Sequence, residues 1–171
     1  MESSEKDLIA KVQIEINTSI ERVWDALIDP KAIKQYMLGA DAVSEWKEGS
    51  PIIWKGEWNG RKYEDKGKIL KLAPRRLIRY SHFSPLAGLP DAPENYHIVT
   101  VELTGRGSHT LVSLSQTNNH TQEALQHNEQ GWKMMLDGLK KYLEQKYILK
   151  RIARRRDRTF DLLVNSQSLY H

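Results

Sequence analysis

Strict alternation along RKYEDKGKI sends Glu64, Lys66 and Lys68 to one side of a strand and Tyr63, Asp65, Gly67 and Ile69 to the other. Charged side chains belong in water, so Asp65 goes inward with the apolar set. The same parity turns Ile78, Tyr80 and His82 inward, opposite Arg79. It does so for His97, Val99, Val101 and Leu103, opposite Glu102, and for Val112, Leu114 and Gln116. A carboxylate and two imidazoles on a mostly apolar face can do two kinds of chemistry. His82 or His97 can pair with Asp65 as an acid–base couple, or the polar groups can orient a small molecule in an apolar pocket. The alternative is a passive one, with all of them solvated at strand ends. An inward Asp65 without a partner, water or an opening to solvent would be costly.

Other chemistries drop out. The chain has no cysteine, which excludes disulfides, thiol catalysis and cysteine metal sites. Its six histidines, His82, His97, His109, His120, His127 and His171, show no metal-ligand spacing such as H-E-x-x-H, so no metal is expected. There is no G-x-G-x-x-G after a strand, no G-x-x-x-x-G-K-[ST] and no G-x-S-x-G, and no cofactor is expected.

The elements that must position these residues follow from periodicity. In LIAKVQIEI, Leu8, Ala10, Val12, Ile14 and Ile16 share one face of a half-buried strand. In NTSIERVWDALIDP, Thr18 and Glu21 fit a capping box ahead of the stripe Ile20, Val23, Trp24 and Leu27. Asp29 caps a second short helix with Pro30 at its first position. From about residue 40 the period becomes two, with turns at Gly49-Ser50-Pro51, Asn59-Gly60 and Pro74. A Pro-rich loop, SPLAGLPDAPENY, precedes a second hairpin turning at Gly105-Arg106-Gly107. A long helix then runs to about Tyr147. One strand, two short helices, six more strands and a long helix predict an α+β fold with a mostly antiparallel sheet. The long helix must cover the sheet's apolar face.

That helix, EQGWKMMLDGLKKYLEQ, carries Gly131 and Gly138, each costing roughly 1 kcal/mol relative to Ala. On a helical wheel Gly131, Met135, Gly138 and Tyr142 form one stripe beside Trp132, Leu136, Leu139 and Leu143. The glycines therefore mark either a close backbone approach or an empty volume. At least one is expected to border a cavity, and Gly138→Leu is expected to weaken ligand binding more than folding.

IEINTSIERVWDALIDPKAIKQYM is similar to the opening of the START-like (SRPBCC) superfamily. WKGEWNGRKYEDKGKILKLAPRRLIRYSHF and QGWKMMLDGLKKYLE resemble the subfamily named for the C-terminal domain of the activator of heat-shock protein 90 ATPase. The likeness covers about residues 8 to 146. It implies a helix-grip fold, a seven-stranded antiparallel sheet wrapped around a long C-terminal helix, with a hydrophobic cavity between them. Members commonly bind lipids, hormones or polyketides, and a minority are cyclases or hydrolases.

The expected function is therefore binding of a hydrophobic or amphipathic small molecule. Trp46, Trp54, Trp58, Tyr80, Trp132, Met135 and Leu139 would line its pocket, unless the aromatics serve only as core. Asp65, His82 and His97 would orient polar groups, and Leu86 and Leu89 would form a lid. The alternatives are a cyclase-like or hydratase-like enzyme in the same cavity and a chaperone-linked interaction module. A homodimer is the one self-assembly carried with these readings.

The net charge of +4 belongs to residues 148–171, where six cations face only Asp157 and Asp161. This divides the chain into an N-terminal tail (1–7), the START-like domain (8–147) and a basic extension (148–171). Apolar Ile148, Ile152, Phe160, Leu163 and Val164 would let the extension prolong the long helix. Nucleic-acid binding is not expected, because no aromatic interleaving or recognition motif accompanies the arginines. No apolar run approaches the ~18 residues of a membrane span. The first residues lack a basic region and an apolar core of a secretory signal, so a cytoplasmic location is expected.

Overall fold

A strand and a helix far apart in sequence hold each other in this chain, whose computed structural model describes residues 8–167. The strand is β1 (Leu8–Ile16) and the helix is α3 (Gln122–Gln167). Between them come α1 (Ile20–Ile28), α2 (Pro30–Tyr36), β2 (Asp41–Ser44), β3 (Pro51–Trp58), β4 (Arg61–Ala73), β5 (Leu77–His82), β6 (His97–Arg106) and β7 (His109–Asn119). The seven strands form one antiparallel sheet in the order β1-β7-β6-β5-β4-β3-β2. Six strands thus form a meander, and β1 closes onto the last of them.

Local chemistry explains most boundaries. Asn59 and Gly60 both take positive φ, 50° and 75°, as the type I′ turn between β3 and β4 requires. The next hairpin turns one step later than the glycines suggest. The ladder continues through Gly105–Thr110 and Arg106–His109, so the turn is Gly107-Ser108, with Gly107 at φ 65°. The cap of α1 is Ser19 and not Thr18. The Ser19 hydroxyl accepts the Arg22 N–H at 3.4 Å, while Thr18 is buried and its carbonyl accepts the Thr110 hydroxyl at 2.9 Å. Asp29 caps α2 as expected, accepting the Lys31 N–H at 3.0 Å.

The core lies between the sheet and the three helices. Leu136, Leu139 and Leu143 of α3 meet Val23, Trp24 and Leu27 of α1, Ile33 and Tyr36 of α2, and the inward strand residues. The inward parity of Trp54, Ile69, Ile78, Tyr80, Val99, Val101, Val112 and Leu114 holds throughout. Burial pushes the Tyr36 and Tyr80 phenols far above their ordinary values, so both remain neutral. The Tyr36 hydroxyl is satisfied by donating to the Ala26 carbonyl at 3.0 Å, which locks α2 to α1.

α3 does not stop near Tyr147. It runs to Gln167, because no Gly or Pro follows Gly138 and the sequence beyond is rich in good helix formers. Ile148, Leu149 and Ile152 are exposed there. The side chains of Phe160, Leu163 and Val164 lie outside those described.

Two carboxylates of α3 satisfy the free edge of β1. Glu129 accepts the Lys11 N–H at 3.3 Å and Glu144 accepts the Asn17 N–H at 3.0 Å, while Lys140 donates to the Glu15 carbonyl at 2.8 Å. Burial works against the charged form of Glu144, but Lys140 and the Asn17 N–H outweigh it and hold its carboxyl below the usual range. A depressed folded-state pKa stabilises the fold above the unfolded value of about 4.3, and that contribution vanishes as pH falls through the folded one. Glu144→Gln should lower the melting temperature by roughly 2–4 °C near neutrality. In melts repeated at successively lower pH, the gap between variant and wild type should close below about pH 4.

Candidate functional site

Between the pairs Ile69–Tyr80 and Lys66–Phe83, the β4–β5 ladder sets Gly67 across from His82. Gly67 has to be glycine, since a Cβ there would fall on the Ser81 carbonyl. With nothing opposite it, the His82 ring reaches diagonally to Asp65, two residues along the same face. Its Nε2 lies 2.9 Å from Asp65 Oδ2, with the side chains only 19% and 16% exposed. An ionised Asp65 can only accept, so Nε2–H donates to it, and in the neutral imidazole Nδ1 is then the lone-pair nitrogen. Asp65 Oδ1 and His82 Nδ1 are buried and have no hydrogen-bond partner among the described residues.

The surroundings fix the pair. Trp54 is paired with Asp65 across β3–β4, and its ring meets His82 edge-on at 5.2 Å and Tyr80 at 5.2 Å. Burial first, and then the Asp65 carboxylate, push the neighbouring Tyr63 phenol upward. His97 stands 6.4 Å from His82, but its Nδ1–H donates to the Thr117 carbonyl at 2.8 Å, which ties it to the sheet.

Asp65 and His82 border a groove of about 780 Å³ between α2, α3 and the sheet. Its apolar walls are Met37, Leu38, Trp132, Met134 and Met135. Gln116 also lines it, with its Oε1 accepting the Trp132 indole N–H at 2.7 Å. Gln116 keeps its amide N–H donors and one further oxygen lone pair. Leu38 projects at the end of α2 from a left-handed backbone, φ 53°, which L-residues adopt only at a cost of roughly 1–2 kcal/mol. A depression of about 580 Å³ on the outer sheet face is lined by Lys11, Gln13, Glu102, Ser113 and Ser115 and lacks such apolar walls. No cluster of metal-ligating side chains occurs among the described residues.

Of the residues expected at a pocket, Asp65, His82, Trp132 and Met135 come together in the groove. Trp54, Tyr80 and Leu139 are buried in the core, and Trp46 is half-buried against it. Trp58 lies elsewhere, 50% exposed beside the β3–β4 turn, because the hairpin outruns the helices that cover its base. Leu86 and Leu89 are exposed and outside the groove. Their loop is held to the outer side of β4, where Lys66 pairs with Asp91, Tyr96 donates to Asp91 at 2.6 Å, and Tyr96 stacks on Phe83. The wall from α2 was missed. Met37 reads in sequence as part of a core stripe, and Leu38 has no periodic signal.

An antiparallel sheet closed by a long C-terminal helix, with a groove beside that helix, defines a START-like, helix-grip protein. Residues 17–144 match the family described as Activator of Hsp90 ATPase homolog 1-like protein, and the chain belongs to that family. The solution structure of ChR145 from Cytophaga hutchinsonii is 55% identical, with 82% of this chain and 96% of that one covered and a TM-score of 0.72. The Aha1 dimer from Colwellia psychrerythraea shares the fold at 24% identity, covering 80% of this chain and 96% of that one, TM-score 0.64. CalU16 from Micromonospora echinospora does so at 20% identity, covering 94% and 98%, TM-score 0.60. No protein with a curated description matches the chain. No described helix is long and apolar enough to cross a membrane.

The two glycines of α3 both line the groove but for different reasons. A Cβ on Gly138 would sit 3.1 Å from the Tyr36 carbonyl oxygen, so Gly138 serves the close approach of α2. A Cβ on Gly131 would meet nothing within 4 Å. This relocates the expected groove-blocking substitution from Gly138 to Gly131. Gly131→Ala should raise the melting temperature by roughly 2–4 °C through helix propensity alone. Gly138→Ala should gain less or lose stability against Tyr36; equal gains in thermal melts would deny Gly138 its packing role.

Proposed function

We propose that the chain is a cytoplasmic binding protein for an apolar or amphipathic small molecule, held in the groove beside α3. The observation that carries this reading is the groove's composition, an apolar body with buried unpaired polar atoms at Asp65 and His82. Its volume is in the range of sites for small organic molecules, roughly 300–1,000 Å³. A ligand here would have its apolar part against Trp132, Met134 and Met135 and its polar end toward Asp65, His82 and Gln116.

Titration with a panel of fatty acids, lysophospholipids, sterols and hydroxylated aromatics should find members that raise the melting temperature. A ligand at 100 times its dissociation constant stabilises by about 2.7 kcal/mol. Gly131→Leu should fill the groove, abolish that rise and leave the ligand-free melting temperature within a few degrees. A panel without effect on wild type, or with equal effect on Gly131→Leu, would defeat the reading.

A second proposal is homodimerisation through the exposed Ile148, Leu149 and Ile152 of α3. The Colwellia relative is a dimer, which motivates asking about self-association but not this particular surface. Sedimentation equilibrium should show a dimer that Ile148→Lys with Ile152→Lys converts to monomer; a monomeric wild type would refute it.

A further inference from the structure

From Ile148 to Arg156 every side chain is exposed, on all sides of the helix. There α3 has left the domain, and packing against the sheet no longer constrains its sequence. The stretch is nevertheless patterned. It holds five cations, Lys150, Arg151, Arg154, Arg155 and Arg156, and no carboxylate. It also holds Ile148, Leu149 and Ile152, which are 55%, 66% and 44% exposed. A helical end selected only for solubility would mix charges of both signs and omit large aliphatic side chains.

Helical geometry sorts these residues. Ile148, Ile152 and Leu149 fall within an arc of about 100°, and Lys150 and Arg154 lie on the opposite side. Arg151 and Arg155 flank the arc, where they line an open depression of about 340 Å³ together with Ile148 and Ile152. Arg156 falls within the arc itself. Helices that lie in a bilayer interface have this composition: aliphatic side chains enter the acyl region while long cationic stems reach back to the phosphates. A nucleic acid would answer the cations and leave three aliphatic side chains in water. A second copy would cover the aliphatic side chains but set the flanking arginines against their like. An anionic bilayer answers both. No described helix is apolar enough to cross a membrane, so the extension would lie on the surface.

We propose that the extension of α3 docks the protein on anionic lipid bilayers, with Ile148, Leu149 and Ile152 in the interface and the arginines on lipid phosphates. This surface is separate from the groove beside α2 and needs nothing bound there. Neither ingredient suffices alone. Three aliphatic side chains are too few for a stable anchor, and exposed charges without them are weakened by physiological salt. Together they make attachment reversible and dependent on lipid charge. The dimer considered above competes with the bilayer for the same three side chains.

Co-sedimentation with vesicles reads this directly, using phosphatidylcholine alone and phosphatidylcholine with about 30% phosphatidylglycerol. The full chain should sediment with the anionic vesicles and stay in the supernatant with the neutral ones. Its affinity should fall about tenfold or more between about 50 and 500 mM salt. Ile148→Gln with Ile152→Gln keeps every charge and should lose vesicle affinity about tenfold. Arg151→Gln with Arg155→Gln keeps every aliphatic side chain and should lose a similar factor. Both pairs lie outside the core, so each variant should melt with the wild type. No sedimentation with anionic vesicles, equal sedimentation with neutral ones, or unchanged affinity in the isoleucine pair would overturn the proposal. Tighter binding to random duplex DNA than to vesicles, unaffected by the isoleucine pair, would overturn it in favour of a phosphate backbone. A dimer that stays in the supernatant with anionic vesicles would overturn it in favour of a second copy.

Discussion

The free edge of β1 is the constraint on which the rest depends. An edge strand offers unpaired backbone groups and invites pairing with another chain. Here α3 covers that edge, with Glu129 and Glu144 accepting from Lys11 and Asn17 and Lys140 donating to Glu15. The spacing works only for a helix running in the strand's own direction. From Glu129 to Glu144 the helix rises about 22 Å, and from Lys11 to Asn17 the strand advances about 20 Å. Contacts at both ends also fix the helix's rotation. With Glu129, Lys140 and Glu144 at the strand, Leu136, Leu139 and Leu143 must face the core. The stripe of Gly131, Met135 and Gly138 is then left toward α2, and the groove lies where that stripe presents least side chain.

The second wall of the groove is set from the opposite end of the sheet. At Gly67 the absence of a side chain lets β5 approach and gives His82 its diagonal reach to Asp65. On the outer side of the same strand Lys66 holds Asp91, and through it the Pro-rich loop. One short segment of β4 therefore organises the polar floor on one face and anchors the long loop on the other. The arrangement explains why the loop is a fixed buttress and why Leu86 and Leu89 are outside the groove. It also explains why the space beside α3 is an open groove instead of a sealed cavity. The leucines fill the volume beneath the helix, and among the described residues no loop crosses the side facing α2.

Much of this was legible in the sequence because strand parity is a two-state variable. Asp65, His82, Gln116 and the apolar residues around them could only go in or out, and the exposed charges decided which. Helical periodicity was equally informative for Trp132, Leu136 and Leu139. What parity cannot express is position along the strand. Trp54 and Trp58 share a face, yet one is core and the other lies beyond the helices that cover the sheet. The cap of α1 was misread because Thr18 and Ser19 have equivalent hydroxyls, and only the distant Thr110 decides between them. The two glycines were indistinguishable for a similar reason, since the contact with Tyr36 belongs to the tertiary structure. The 55% identity to the Cytophaga protein establishes kinship, but a shared fold says little about what sits in a groove.

For the binding function proposed, the polar floor narrows what the ligand can be. A wholly apolar molecule would satisfy Met135 and Trp132 and leave Asp65 Oδ1 and His82 Nδ1, already shielded from water, still unpaired. It would gain apolar burial but recover none of the cost already carried by those acceptors, about 1–3 kcal/mol for each buried without a donor. A ligand of the same size whose hydroxyl reached either atom would remove that cost. It also meets amide donors from Gln116, so a neighbouring carbonyl is accommodated rather than repelled. Under the proposed binding function the apolar walls would admit many shapes and the polar floor few head groups, and that floor exists because Gly67 leaves room for His82 to reach Asp65.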